Sequence, residues 1–405
     1  MSTTIIRKKV AWKKSLPAII LVLNSFVWYV ITYLVFSTIV NELELLELEK
    51  LGLFTPYFMG IAVSSIIGSR IFPRARVNFL YLWLFIGAVA TLLLITIPIN
   101  GIVANALFAL FLGISIGIGL PSCLSYFANL TSIENRGSVG GIIWSGVGFI
   151  VLFFVFIANV LRLWETIALL TIWRILGAFA FIFLSKQRDR LDIQKSPSYL
   201  ELIRKREILL YLFPWIMFSI INFSELPLLE TVFGAETFIF VTFGEYVFAG
   251  IFACVGGIIA DVMGRKRIVI MGFVMLGIEY ATLSVFYISS TVSYLFMVLD
   301  GITWGFFFSV FFMTIWGDLG EGFEKEKYYT LGGLPFLLSN FVSVLVKPYV
   351  SVISPTAAFS FASFFLFLAV IPLMYAPETL PEKHIREREL RGYIEKAKKI
   401  KEKFT

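Results

Sequence analysis

The residues of this sequence best suited to do chemistry are ionisable side chains that lie inside long apolar runs. These residues are Arg174, Glu225, Glu245, Glu279, Asp300 and Lys347. A charged group is costly to place in hydrocarbon, so such residues commonly mark the path of a solute or ion, or form a buried pair. A carboxylic acid in apolar surroundings also holds its proton more strongly than in water. The pattern therefore predicts binding of an ion or polar solute.

Four of these groups lie at one depth, roughly 8–14 Å from the same end of their apolar runs at a rise of about 1.5 Å per residue. They are Glu225, Glu245, Asp300 and Lys347. We hypothesise that Lys347 pairs with Asp300 or Glu245, which leaves one or two carboxyl groups free to carry a coupling proton. The alternative is a static ion-pair network that holds this part of the chain together.

Residues for catalysis or metal binding do not occur in a usable pattern. The single histidine, His384, lies near the C-terminus, and both cysteines, Cys123 and Cys254, fall inside apolar runs. No disulfide framework or metal-ligand spacing is possible, and no Walker-type phosphate loop occurs. We therefore expect a protein that is not an enzyme, holds no cofactor or metal and is not driven directly by ATP.

The composition places these residues in a membrane. Of the 405 residues, 59% are hydrophobic and 15% are charged, with a mean hydropathy of +0.88. A soluble domain is nearer half apolar and a quarter charged, so this chain needs lipid as its solvent. Because one crossing takes about 20 apolar residues, we predict an all-α integral membrane protein with about twelve transmembrane helices.

The apolar runs form two groups of six, here numbered spans 1 to 12 in chain order. They lie at about 16–40, 54–72, 78–99, 102–128, 139–161, 164–185, 208–230, 236–260, 268–289, 292–316, 329–352 and 355–376. The predicted organisation is an N-terminal half at 1–185, a linker at 186–207, a C-terminal half at 208–376 and a helical tail at 377–405.

The distribution of Lys and Arg predicts the orientation. The loops after even-numbered spans are basic, whereas those after odd-numbered spans hold only Lys50 and Arg162 beside several glutamates. Basic loops face the cytoplasm, so we predict a multi-pass protein of the cell membrane with both termini, the linker and the tail in the cytoplasm. The net charge of +7 is spread over these loops and tails. A nucleic-acid binder would gather it on one basic face, so no nucleic-acid partner is expected.

A weak internal repeat relates the two groups of six. A shift of about 192 residues aligns 134–141 with 326–333, and in both segments a charged loop meets a Gly-Gly pair that begins the next span. A shift of about 191 aligns 74–76 with 265–267, both of them basic. Two similar halves of six helices correspond to the parallel-repeat plan of one large class of transporters.

The most specific motif lies between spans 8 and 9, where the chain reads Gly256-Gly-Ile-Ile-Ala-Asp-Val-Met-Gly-Arg-Lys-Arg267. It resembles the signature loop of the major facilitator superfamily, G-x-L-A-D-x-x-G-R-[KR]-[KR]. The matching residues are Gly257, Ala260, Asp261, Gly264, Arg265, Lys266 and Arg267. The corresponding loop of the N-terminal half departs from the pattern, with Arg70 at the Asp position and Pro73 at the turn glycine.

The residue types of this loop suit a gate. Gly257 and Ala260 allow two helices to approach closely, and Gly264 supplies a turn. Asp261 is expected to pair with Arg265 or with the end of a neighbouring helix. The resemblance implies that such a loop stabilises one conformation of the transporter.

The resemblance also orders the candidate site residues, because it implies that spans 1, 4, 7 and 10 line a central cavity. Asp300 and Glu225 are then best placed to meet a solute, followed by Glu245 and Lys347. Asn24, Asn222 and Asn340 lie at cavity depth and are candidates for solute binding or for bridging helices. Arg174 and Glu279 lie on outer spans, where a structural bond to a neighbouring helix is expected.

Together these features predict a secondary active transporter that moves a small solute by alternating access and couples this movement to protons, as a monomer in a lipid bilayer. Within the resemblance, a multidrug-type exporter and a sugar-porter-like uniporter remain alternatives. The Gly137–Gly148 segment resembles an antiporter motif without its proline, and Pro377-Glu-Thr-Leu380 resembles the tail motif of sugar porters. A membrane sensor that binds solute without moving it is the alternative from another class.

Overall fold

In a computed structural model of the chain, twelve helices are long and apolar enough to cross a membrane. The structure describes residues 2–71, 73, 76–99, 101–185 and 194–381, and the side chains of all of these except 2–13, 47, 98 and 99. The spans are Lys14–Glu42, Leu48–Ile71, Arg76–Ile97, Ile102–Leu130, Arg136–Ala158, Leu163–Leu184, Arg206–Phe233, Ala235–Met263, Arg265–Phe286, Ser290–Leu319, Glu326–Val352 and Pro355–Tyr375. Each predicted span is present, with ends within about six residues of the prediction.

Apolar side chains cover the outer surface of this bundle. Val63, Phe149, Leu176, Ile220 and Phe361 are examples of large hydrophobic residues that are exposed well inside the spans. Such a surface is stable against lipid, where a helix satisfies all its own backbone hydrogen bonds. The helices therefore form because the chain must hide its peptide groups as well as its side chains.

Several helix pairs join the first six spans to the last six, and two of them are the most extensive. Span 5 packs along span 8, and span 2 packs along span 11. Small residues make the first approach close, because a Cβ added to Gly257 would come within 2.1 Å of the carbonyl oxygen of Gly137. Spans 1, 7 and 10 lie between these pairs and carry many of the aromatic residues discussed below.

Five of the twelve spans depart from regular α-helix. Span 3 ends in a 3-10 segment, Leu94–Ile99, and span 12 is two helices, Pro355–Leu368 and Val370–Tyr375. Span 4 is two helices, Ile102–Gly117 and Leu120–Leu130, and span 11 ends in a 3-10 segment, Lys347–Val352. Span 10 contains a π-helical segment, Phe307–Ile315. A π segment widens a helix and frequently occurs at functional sites.

The linker lies against one face of the bundle, which we call the linker side. Its short helix, Tyr199–Arg204, is capped at its N-terminus by Ser198. The Tyr199 hydroxyl lies 2.5 Å from Ser69 Oγ at the end of span 2. The linker also bonds to the loop after span 10, since the Glu324 N–H donates to the carbonyl oxygen of Gln194 at 2.9 Å. The predicted tail lies outside the described residues beyond position 381.

Candidate functional site

A cavity of about 300 Å³ lies between the two groups of six spans. Residues of spans 1, 5, 7, 8, 10 and 11 line it. Its span 7, 8 and 10 residues belong to the part of each helix that is farther from the linker side, for example Phe238, Phe296 and Leu229. The cavity therefore occupies the half of the membrane opposite the linker side, at the depth predicted for the ionisable residues.

Asp300 is the most deeply buried carboxyl group that lines this cavity, with 3% of its surface exposed. The side chains of Trp304 and Asn222 lie within hydrogen-bonding reach of its carboxyl group. Its Oδ1 atom nonetheless has no hydrogen-bond partner among the described residues. A buried polar atom without a partner is costly, so this oxygen is available to a proton or a bound solute.

Glu245 lines the same cavity from span 8 and is half-buried. Glu279 lies behind it on span 9, is 1% exposed, and neither of its carboxyl oxygens has a hydrogen-bond partner in the part of the chain that the structure describes. The structural bond expected for Glu279 is therefore missing. Asp300 and Glu245 are the acidic groups whose charges act on it.

No Lys or Arg of the described residues forms an ion pair with any of these three carboxyl groups. The hypothesised pairing of Lys347 with Asp300 or Glu245 is wrong for this structure. Lys347 begins the 3-10 segment of span 11 and is exposed, because the helix turns it away from the cavity. Full ionisation of Asp300, Glu245 and Glu279 together would leave three adjacent negative charges in apolar surroundings, which is very costly.

The other candidates divide between the cavity and the helix packing. Asn222 lines the cavity, with Nδ2 at 3.5 Å from the Tyr280 hydroxyl, and Asn340 lines it from span 11. Glu225 is buried on span 7 without lining the cavity. Asn24 lies outside it as well, between spans 1 and 6, where its Nδ2 donates to the carbonyl oxygen of Trp173 at 2.8 Å.

Aromatic side chains form a large part of the cavity wall. Trp144 of span 5 stacks on Phe308 of span 10 with ring centroids 3.9 Å apart and planes 4° from parallel. Trp304 packs on the other side of Phe308, at 4.8 Å, and Phe336 of span 11 meets Phe308 edge to face at 5.4 Å. Tyr29 and Tyr33 continue the wall from span 1. The cavity thus combines two carboxyl groups with several ring faces.

On the linker side, Asp261 joins the two groups of spans. Its carboxylate accepts the backbone N–H groups of Gly137 at 3.0 Å and Ser138 at 2.7 Å, which are the first free N–H groups of span 5. It also forms an ion pair with Arg265, whose Nη1 lies 2.9 Å from Oδ1. A carboxylate at a helix N-terminus is favoured by the helix dipole. The sequence left open whether Asp261 would pair with Arg265 or with the end of a neighbouring helix, and the structure has both contacts.

Asp318, at the linker-side end of span 10, connects two arginines. Its Oδ1 lies 2.5 Å from Nη1 of Arg136, and its Oδ2 lies 3.3 Å from Nε of Arg265. Arg265 also donates to the backbone carbonyl of Ile133, in the loop before span 5. We call Asp261, Arg265, Asp318 and Arg136 the linker-side network. It ties span 5 to spans 8, 9 and 10 and closes this face.

Further ion pairs flank the network. Nε of Arg76, at the start of span 3, donates to Oε1 of Glu326, at the start of span 11, at 2.7 Å. Glu321 lies 3.1 Å from both Arg136 Nη2 and Lys325 Nζ. Partial burial alone would raise the pKa of Glu321, but these cations outweigh it and hold the pKa below its ordinary value. The ion pairs of Glu321 with Arg136 and Lys325 therefore stabilise the closed face fully at pH values above the ordinary pKa of Glu. This contribution is lost as the pH falls through the lowered pKa of Glu321.

The remaining residues of the signature loop contact the chain after span 12. Gly264 has a φ of +103°, which favours glycine, and it turns the chain into span 9. The first N–H groups of that helix, on Arg265 and Lys266, donate to the Glu378 carboxylate at 2.8 and 3.2 Å. Lys266 Nζ donates to the carbonyl oxygen of Ala376 at 3.0 Å, whereas Arg267 is exposed.

Sequence reasoning missed Asp318 and Glu326 as partners across the two halves. Both are acidic residues beside the basic linker-side loops, at the end of span 10 and the start of span 11. An acidic residue at such a position is unusual, because these loops are otherwise basic. This contrast was the sequence signal that could have indicated ion pairs there. Glu378 was noticed only as part of a tail motif, and its capping of span 9 required the structure.

Comparison with known proteins gives a family and a fold. The model of the Major Facilitator Superfamily matches residues 17–346. Among solved structures, the chain is similar to the Major Facilitator Superfamily transporter FucP in the outward conformation, with a TM-score of 0.72 over 90% of this chain and 100% of that chain, at 11% identity. At this identity the likeness shows the fold alone. No curated protein matches the sequence.

Proposed function

Because the chain belongs to the Major Facilitator Superfamily, a family of non-enzymatic membrane transporters, we propose that it is a secondary active transporter that moves a small solute by alternating access and couples this to protons. The observation that carries the proposal is a group of three carboxyl residues without a basic partner among the described residues: Asp300 and Glu245, which line the cavity, and the buried Glu279 on span 9. Such groups bind and release protons when their access to water changes.

The closed linker side supports the alternating-access part of the proposal. The network ties span 5 to spans 8, 9 and 10 while the cavity lies in the other half of the membrane. Release of a solute on the linker side requires Asp261 and Arg136 to leave their partners so that the two halves can rock apart. We place the linker side in the cytoplasm, in the cell membrane, because its loops are basic.

Electrical recording from reconstituted protein tests this function. Proteoliposomes on a solid-supported membrane would be exposed to jumps in concentration of a panel of metabolites and drugs, at several pH gradients. We expect transient currents for a transported solute, with an amplitude that depends on the pH gradient. In Asp300→Asn and Glu245→Gln the pH dependence should be lost, whereas the exposed Glu230→Gln should keep it.

The outcomes separate the candidate functions. Currents that do not change with the pH gradient would contradict proton coupling and favour a uniporter. Saturable solute binding without any current or uptake would favour a sensor that uses the transporter fold.

A further inference from the structure

We propose that the transported solute is an amphipathic organic cation, with its charge beside Asp300 and Glu245 and its apolar body against the aromatic wall. This proposal rests on the transport function above and adds the chemical class of the solute. The cavity has a charge of one sign only, since no Lys, Arg or His of the described residues lines it. An anionic solute would face two acidic groups without a compensating cation.

The free Oδ1 atom of Asp300 gives the cation a specific partner. Asp300 lines the cavity, and its Oδ1 atom is buried and makes no hydrogen bond within the described chain. In a site of low polarity an attraction between unlike charges is much stronger than in water. A cationic centre beside this oxygen would remove the cost of the unpaired group and be stabilised by the same contact.

The ring faces of the wall suit the same class of solute. Trp144 and Phe308 stack in parallel, Trp304 packs on Phe308, and all three rings line the cavity. Cations are attracted to such faces, most strongly to that of Trp, and aromatic cages are a known mode of binding quaternary ammonium groups. The apolar wall would also bind the hydrocarbon part of the solute.

The same wall disfavours a polyhydroxylated solute. Apart from the carboxyl groups, the tyrosine hydroxyls and the indole N–H groups of Trp144 and Trp304, Asn222, Asn340 and Thr242 are the hydrogen-bonding side chains that line the cavity in the described chain. The Tyr29 hydroxyl already donates to the carbonyl oxygen of Leu337 at 3.3 Å. The rest of the lining is aromatic and aliphatic, so a sugar would place part of its hydroxyl surface against apolar groups, which is costly.

Cation and proton would compete for the same oxygens. Binding of the cation favours the charged carboxylates, so protons leave as the cation enters, and the exchange of the two is antiport. The titratable groups around Asp300 on the packed helices are Glu225 of span 7, Glu245 and Tyr246 of span 8, and Glu279 and Tyr280 of span 9. Span 1 adds Tyr29 and Tyr33. We expect cation affinity to fall as the pH is lowered.

A size-matched pair of ions tests the proposal on the purified, full-length protein. Binding of tetraphenylphosphonium and of tetraphenylborate would be measured by equilibrium dialysis at equal detergent concentration. Quenching of tryptophan fluorescence provides a second readout, because Trp144 and Trp304 line the cavity. The smaller phenyltrimethylammonium and its neutral isostere tert-butylbenzene repeat the comparison for solutes of a narrower shape.

We expect saturable binding of the cations only. The double variant Asp300→Asn/Glu245→Gln should bind them at least about tenfold more weakly, and the exposed-residue variant Glu230→Gln should bind them normally. Both substitutions in the double variant are isosteric, so a folded protein is expected, and its elution as a single species verifies this.

Three results would overturn the proposal: equal binding of tetraphenylborate, no saturable binding of either cation by the folded protein, or unchanged affinity in the double variant. None of these results would contradict the proposed transport function, because the experiment measures binding in the absence of a gradient. Proton-dependent currents with an anionic or neutral solute would show that function to be correct and the solute class to be wrong.

Discussion

Arg174 is a buried cation that is balanced by aromatic rings rather than by a carboxylate. Its guanidinium carbon lies 4.1 Å from the ring centroid of Trp28 and 4.5 Å from that of Trp83, and its Nη1 donates to Asn24 Oδ1 at 3.0 Å. It is fully buried, and its Nε and Nη2 atoms lack hydrogen-bond partners in the described chain. The planar guanidinium suits this position, because it stacks on aromatic faces and is less strongly hydrated than an ammonium group.

We predict that Arg174→Lys destabilises the protein more than Arg174→Met. Lys keeps the buried charge but cannot stack between the two tryptophans, whereas Met fills a similar volume without a charge to desolvate. Thermal unfolding in detergent should give a Tm for the Lys variant that is lower than that of the Met variant by roughly 2–4 °C or more. A Met variant that is the less stable of the two would contradict this account of the stacked cation.

Removing the carboxylate of Asp261 is predicted to open the linker side. Asp261→Asn loses the ion pair with Arg265 and one N–H bond at span 5, at a cost of about 1–3 kcal/mol to the closed state. The reporter is Thr330→Cys, a buried position between the two groups of spans on this face. With Cys123 and Cys254 replaced by Ala, a membrane-impermeant thiol reagent added from the linker side should react roughly tenfold faster in Asp261→Asn.

Glu324→Gln is the matched control, because it removes a linker-side carboxylate that is outside the network. It should leave the reaction rate unchanged. Equal rates in the Asp261 variant and the parent would show that the network does not hold this face closed.

At the residue scale, the sequence predicted how deep a side chain lies in the membrane better than which face of its helix it lies on. Asp300, Glu245 and Asn222 line the cavity, but Lys347 and Asn24, at comparable depth, do not. Depth follows from counting residues along a helix, whereas the face depends on helix rotation and tilt, which are set by packing against neighbours. The roughly uniform hydrophobicity of these spans leaves little periodic signal for that rotation.

At the scale of helices, the close contact of spans 5 and 8 depends on small residues. A Cβ on Gly141 would come within 2.3 Å of the carbonyl oxygen of Ala253, and one on Gly257 within 2.1 Å of the carbonyl oxygen of Gly137. These distances leave no room for a side chain. The Gly-Gly pair noted at the start of span 5 thus serves the contact between halves, as small residues do where membrane helices approach closely.

We predict that Gly257→Val separates the two helices and prevents closure of the linker side. The Thr330→Cys reporter should then react faster from the linker side, by at least as much as in Asp261→Asn. Gly52→Val is the matched control, because nothing lies within 4 Å of a Cβ at that position in span 2. A slow reaction in both variants would contradict the role of the glycine contact.

The sequence predicted the helices well and their irregularities poorly. Length and hydropathy are sufficient to find twelve spans, because the bilayer fixes both. The π segment Phe307–Ile315 and the break in span 4 before Leu120 were not predicted. A π segment changes the hydrogen-bond register without a proline or glycine to mark it, and tertiary packing selects it.

At the scale of the molecule, the buried charges are divided unequally. Away from the ion pairs of the linker side, the buried charged residue that the structure describes in the first six spans is Arg174, whereas the last six bury the carboxyl residues Glu225, Glu279 and Asp300. The cavity takes its acidic groups from the second set and some of its aromatic wall from the first, at Tyr29 and Trp144. Rocking of one set against the other would therefore change the surroundings of the carboxyl groups, which is the physical basis of coupling in our account.

The central claim is that the two ends of the cavity open in alternation, and paired distance measurements test it most directly. Spin labels would be placed on exposed residues in a variant with Cys123 and Cys254 replaced by Ala. One pair, Ile71 and Met263, reports on the linker side, and the other, Val160 and Ile288, reports on the opposite side. The distance between the two labels of each pair would be measured by double electron–electron resonance in lipid at pH 8 and pH 5.

Protonation of the cavity carboxyl groups should shift the population towards a second state. We predict that the linker-side distance lengthens while the opposite distance shortens, and that Asp300→Asn/Glu245→Gln makes both distributions independent of pH. Distances that stay fixed at both pH values, or that lengthen together on both sides, would contradict alternating access governed by these groups.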